Sequence, residues 1–216
     1  MRSLRAKTRV RHEIVIQRSR FIASLGHTPS EHAARQFITS VREEFPDATH
    51  NCSAFVVKPS DRNEIGHSND DGEPSGTAGM PMLEVLRRNN MVNVTAVVTR
   101  YFGGTLLGAG GLVRAYSSAV STALERAKVV ELDTWERWQV RLPHAHAGRF
   151  QSQLHQHGGM VEDVDYLEVA ALTYLCPPRS SQALSNLLAE LTSGEVSPQL
   201  LGQKVVEIDE ASGRPV

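Results

Sequence analysis

The chain has 216 residues, 40% hydrophobic and 22% charged, an ordinary globular composition with room for one large domain or two small ones. Its two cysteines, Cys52 and Cys176, exclude a disulfide framework and a cysteine-rich metal site, which fits a reducing compartment. No apolar run reaches the roughly 18 to 20 residues of a membrane span, and the N-terminus lacks the apolar core of a secretory signal, so a cytoplasmic protein without a membrane partner is expected.

The net charge of −1 hides an asymmetry. Residues 1–130 carry 17 Lys/Arg against 12 Asp/Glu, net +5, and residues 131–216 carry 6 against 12, net −6. The arginine-rich start, "MRSLRAKTRVRHEIVIQRSR", reads as a solvated basic arm. A mildly basic first half suits phosphates but falls short of the balance of a dedicated nucleic-acid domain.

In chain order, "EIVIQRSRFIASL" predicts two strands or one bent strand. Ser30 stands as a cap before "EHAARQFITSVREEF", where Ala34, Phe37, Ile38, Val41 and Phe45 recur at helical spacing. "HNCSAFVVK" alternates like a strand, and "MPMLEVLRR" predicts a short helix with Pro81 in its first turn. "MVNVTAVVTRYF" is a β-branched run of central-strand type that feeds "GGTLLGAGG" and a long amphipathic helix from Leu112 to Ala127. The pattern restarts near Val130, which sets the expected domains at 1–130 and 131–216. The second reads strand (Trp135–Leu142), helix (145–157), two strands across "MVEDVDYLEVAALTYLC", helix (180–191) and strand (203–208). That βαββαβ order is ferredoxin-like, with Gly158, Gly159 and Gly194 where helices should stop.

Three places in the first domain have residues suited to chemistry. "DDGEPSGTAG" puts Asp70, Asp71 and Glu73 on a tight loop with Ser75, Gly76 and Thr77. The acids could ligate Mg²⁺ or act as a base, although the spacing matches no calcium loop. Alternatively Ser75 and Thr77 cap the short helix, or its free N–H groups take an anion. The second place is "VVTRYFGGTLLGAGGLVRAY", where Gly103, Gly104, Gly108, Gly110 and Gly111 open backbone N–H groups to a phosphate at a helix N-terminus, flanked by Arg100 and Arg114. It is neither a Walker loop nor a dinucleotide fingerprint, and close packing explains the glycines equally well. The third is "ATHNC", where His50 and Asn51 precede a strand and His50 could move a proton. His144, His146, His155 and His157 in the second domain lack a definite ligand spacing.

"ATHNCSAFVV", "SNDDGEPSGTAGMPML" and "VVTRYFGGTLLGAGGLVRAYSSAV", in this order, closely resemble the IMPACT/YigZ family, bacterial two-domain type. The resemblance implies an α+β chain: an N-terminal domain with a ribosomal protein S5 domain 2-like fold, then a ferredoxin-like domain, both similar to domains of translation elongation factor G. It also implies a nucleic-acid or ribosome-associated role for bacterial members, while the eukaryotic ones bind a ribosome-associated activator of a starvation-responsive kinase. The matching positions include His50, Asn51, Asp70, Asp71, Glu73, Ser75, Gly76, Thr77, Arg100, Tyr101, Gly103, Gly104, Gly110, Gly111 and Arg114, and no enzymatic role accompanies them.

The expected function is therefore a non-catalytic RNA- or ribosome-associated protein linked to regulation of translation under stress. In that reading these residues bind phosphate or nucleic acid, no cofactor or metal is needed, the acidic second domain docks a protein, and the chain is a monomer. The alternative is a Mg²⁺-dependent hydrolase or phosphotransferase, with Asp70, Asp71 and Glu73 on the metal and His50 moving a proton.

Overall fold

The computed structural model describes residues 1–59 and 63–216, and the chain divides into two compact units, Met1–Glu131 and Leu132–Val216. The first is built on five antiparallel strands in the order β2 (Arg9–Ile16), β3 (Ser19–His27), β6 (Val94–Tyr101), β4 (His50–Val57) and β5 (Ile65–Asn69). The central position of β6 follows from its β-branched run, which is buried without a break from Val94 to Arg100. Gln17 and Arg18, at φ of 46° and 68°, form the two-residue turn between β2 and β3, the mirror-image geometry that matches strand twist.

Alternation along the strands separates two faces. On one, α1 (Glu31–Glu44) lays Ala34 against Phe55 and Val57, and Phe37 and Val41 against Val97. Ser30 caps this helix as expected, its hydroxyl accepting from the Ala33 N–H at 3.2 Å. The other face carries α2 (Gly79–Arg88) and α3 (Gly108–Leu124). There the Tyr116 ring meets Phe21 edge-on, with centroids 5.3 Å apart. Burying an apolar side chain of this kind stabilises the fold by about 1.5–3 kcal/mol.

The basic arm is not a loose tail. Its first residues form β1 (Arg2–Leu4), which pairs with Val129–Glu131, and its continuation is β2, an edge strand whose residues alternate between exposed and half-buried. Arg9 and Arg11 thus project from one face, while Val10, His12 and Ile14 lie on the other. Cations on an edge strand also discourage strand addition by another chain. β5 carries no strand signal in the sequence, because "IGHSN" has neither alternation nor β-branched residues beyond Ile65.

The second unit has the ferredoxin-like order β10 (Gln199–Asp209), β7 (Val129–Leu142), β9 (Ala170–Cys176), β8 (Met160–Tyr166). Helices α4 (His144–Gln156) and α5 (Pro178–Leu191) bury Phe150, Leu154, Leu184 and Leu188 against Val140, Leu172 and Tyr174. β7 begins six residues before the expected Trp135, because pairing with β1 extends it. Gly158 and Gly194, at φ of 76° and 80°, stand just past the two helices.

Candidate functional site

The loop from Asp70 to Ala78 links β5 to α2. Asp71 and Gly72 both take positive φ, 46° and 85°, and the turn closes with the Glu73 N–H donating to the Asp70 carbonyl at 3.0 Å. Asn69 Oδ1 accepts from the Asp71 N–H at 2.7 Å, so the turn is nucleated by its own preceding side chain. Gly79 must be glycine, since a Cβ there would lie 2.7 Å from the Asn69 nitrogen.

Each of the three acids has its own partners. The Asp70 carboxylate accepts from the N–H groups of Gly76, Ala78 and Gly79 at 2.8, 3.0 and 2.8 Å. Desolvation alone would raise its pKa; these three donors outweigh it and hold the carboxyl below the usual carboxylate range. Asp71 receives Arg42 Nη2 of α1 at 2.7 Å and the Asn51 N–H of β4 at 2.6 Å. Glu73 is buried, and its Oε1 accepts from Arg100 Nη1 at 2.6 Å and from the Tyr116 hydroxyl at 2.7 Å.

His50 stands at the edge of this lattice. Its Nδ1 is 2.8 Å from the Asp71 carbonyl, which can only accept, so Nδ1 carries a proton and Nε2 faces Glu73 Oε2 at 3.9 Å. Beneath it the Cys52 thiol donates to the Asp70 carbonyl at 3.0 Å and lies 3.3 Å from the Tyr116 hydroxyl. Burial pushes this thiol up to about 12, and burial likewise raises Tyr116. Arg100, 5% exposed, has its guanidinium carbon 5.4 and 5.6 Å from the Phe21 and Phe102 ring centroids. Its Nη2 reaches Ser19 Oγ at 3.4 Å, and the same oxygen accepts from the Gly103 N–H at 3.1 Å. A Cβ on Gly103 would overlap the Arg18 carbonyl, so β3 and the glycine loop meet only because residue 103 is glycine.

These contacts correct several sequence expectations. Ser75 and Thr77 do not cap α2: its N-cap, Ala78, has no side-chain bond, Thr77 bonds the Pro74 carbonyl, and Asp70 does the capping from eight residues upstream. An anion is thus already in place at that helix N-terminus. Arg100 is not a surface cation beside the loop, since it is spent on Glu73. Asp70, Asp71 and Glu73 turn to different partners, and among the described residues no group of three or more His, Cys, Asp or Glu is placed to hold a metal.

His50, Asp71, Glu73 and Arg100 do converge, whereas Tyr101 points to the opposite face of the sheet, where its hydroxyl meets Asp47 at 2.9 Å. Asn51 shares that face, with Oδ1 on the Thr99 hydroxyl at 2.7 Å. Gly104 and Gly76 are exposed, and Gly110 and Gly111 lie in the first turn of α3, with exposed Arg114 one turn on. Neither helix has an acid in its first turn, but the α2 N-terminus receives the Asp70 carboxylate, whereas among the described residues no side chain caps α3. The expected site did not contain Cys52, Ser19 or Arg42, and Tyr116 entered it only as part of the motif "GGLVRAY". Cys52 was legible in principle, two residues after His50 on an alternating strand.

The S5 domain 2-like sheet, the buried carboxylate–guanidinium lattice and the following ferredoxin-like unit define a two-domain α+β protein in which three sequence motifs form one structural unit. The Impact N-terminal domain matches residues 17–124, and a domain of unknown function, DUF1949, matches residues 140–195. The IMPACT family member YvyE of Bacillus subtilis is 41% identical over 85% of this chain and 84% of its own length. YigZ of Escherichia coli, of the same family, is 38% identical over 84% and 89%. A crystal structure of a hypothetical protein, 36% identical, superposes with a TM-score of 0.59 over 93% of this chain and 96% of its own. The chain belongs to the IMPACT family.

Proposed function

We propose that this protein is a non-catalytic, RNA- or ribosome-associated factor of the cytoplasm that acts in the regulation of translation under stress. The observation that carries the reading is the contrast between two helix N-termini on one face of the sheet. That of α2 is filled by Asp70, while that of α3 is open, glycine-lined and flanked by exposed Arg114. Free first-turn N–H groups with a nearby guanidinium favour a phosphate oxygen. The motif acids support the fold rather than present free carboxylates, which disfavours the Mg²⁺-dependent alternative on geometric grounds. The acidic second unit would then dock a protein. No helix among the described residues is long and apolar enough to cross a membrane.

Cosedimentation with ribosomes and titration with single-stranded RNA across a salt series test the reading. Binding should weaken steeply with salt, and Arg114→Ala should weaken it and reduce the salt slope by about one. Association indifferent to both salt and Arg114→Ala would disprove it. So would Mg²⁺-dependent phosphate-ester cleavage that His50→Gln abolishes.

A further inference from the structure

The other end of the same sheet holds a recess. β3 leaves the buried lattice at Ser19 and ends at His27, roughly 26 Å away at about 3.3 Å per residue. There a cavity of about 500 Å³ opens between the start of β2, the end of β3 and α1, within the range of small-molecule sites. Its polar wall includes Lys7, Thr8, Arg9, His27 and Gln36, and no Asp or Glu lines it.

The cavity is shaped by specific features of the chain. Gly26 lets the Phe37 ring lie directly on β3, since a Cβ there would come within 2.5 Å of it. The Arg9 guanidinium lies over the same ring, 5.2 Å from its centroid. Lys7 takes φ of 61°, uncommon for a residue with a side chain, in a turn closed by the Thr8 N–H on the Arg5 carbonyl. Backbone strain of this kind persists where the surroundings hold it.

The charges in the wall are uncompensated. The field of Glu44 reaches Arg9, but the Glu44 carboxylate is taken up by both terminal nitrogens of Arg11. Among the described residues neither Lys7 nor Arg9 has an ion pair. Protecting the sheet edge explains a cation at Arg9, but not a recess walled by two cations, hydroxyls and an amide. We infer that this cavity binds the phosphate of a small phosphomonoester, with Lys7 and Arg9 as its charge partners and Thr8 and Gln36 as neutral ones. A dianion is matched by two cations, and a bounded recess suits a small molecule better than a polymer.

The test uses the full chain, titrated at low salt with ribose 5-phosphate, adenosine monophosphate and inorganic phosphate, with ribose as the uncharged control and a short single-stranded RNA as competitor class. Calorimetry gives affinity, and amide chemical shifts give location. At least one phosphate probe should bind saturably and shift Thr8, Gly26, Thr28 and Ser40, while ribose shifts none. The Lys7→Gln, Arg9→Gln double variant, at two exposed positions, should raise Kd at least tenfold with no more than the slight fall in melting temperature expected from the lost Arg9–Phe37 contact. Arg114→Ala should leave this binding intact, which separates it from the α3 reading. Three results would overturn the inference: no saturable binding by any phosphate probe, affinity unchanged in the double variant, or shifts at these amides with RNA alone.

Discussion

Arg100→Ala removes a guanidinium that is 5% exposed and leaves the buried Glu73 carboxylate, among the described residues, with the Tyr116 hydroxyl and distant His50. Breaking a buried pair from one side costs about 3–5 kcal/mol, because the remaining charge has lost its compensation. With an unfolding entropy of about 2.1 cal/mol/K per residue, each kcal/mol lowers the Tm of the first unit, Met1–Glu131, by roughly 3.6 °C. The expected fall is therefore about 11–18 °C by calorimetry, with a matching loss in urea unfolding. The Glu73→Gln, Arg100→Met double variant should be less destabilised than the sum of its single changes by about 1–3 kcal/mol, since the two groups share one interaction. Below the lowered Tm, the salt slope of RNA binding should match the parent protein, because Arg100 faces no solvent phosphate. A loss under about 1 kcal/mol, additive single changes, or a reduced salt slope would each refute the structural role assigned to Arg100.

Two further predictions follow from the same loops. Asp70→Ala should cost about 1–2 kcal/mol as the loss of a helix cap. Because the folded Asp70 carboxyl sits below its ordinary value of 3.8, its contribution is complete above about pH 4 to 5 and is lost as pH falls through the folded value; urea unfolding between pH 2 and 6 should show a shallower acid limb in the variant, and an identical limb would contradict the capping. Gly103→Ala should destabilise severely or prevent folding, since its Cβ would overlap the Arg18 backbone, whereas Gly104→Ala, at φ of 84° with open space around it, should cost only about 1 kcal/mol; equal melting temperatures for the two would refute the close approach.

Periodicity was sufficient for α1, α3, α4, α5 and the paired strands of the second unit, because apolar spacing of 3.6 or 2 encodes which face is buried. Composition and the three ordered motifs carried the family as well. What they did not carry was the partner of each charge. Asp70 reads on paper as a metal ligand or base, and only the return of the chain eight residues later turns three backbone N–H groups onto it. Arg100 reads as a surface cation beside a glycine loop, but alternation along β6 sends it into the layer under α3, where Glu73 arrives from a loop and Tyr116 from a helix. The basic arm reads as solvated, and backbone pairing makes it β1 and β2. Local structure is decided by neighbours in sequence, which one chain displays directly. The pairing of buried charges, the closing of one helix N-terminus and the opening of another depend on groups far apart in sequence, 81 residues for Ser19 and Arg100, and so were settled only by tertiary structure.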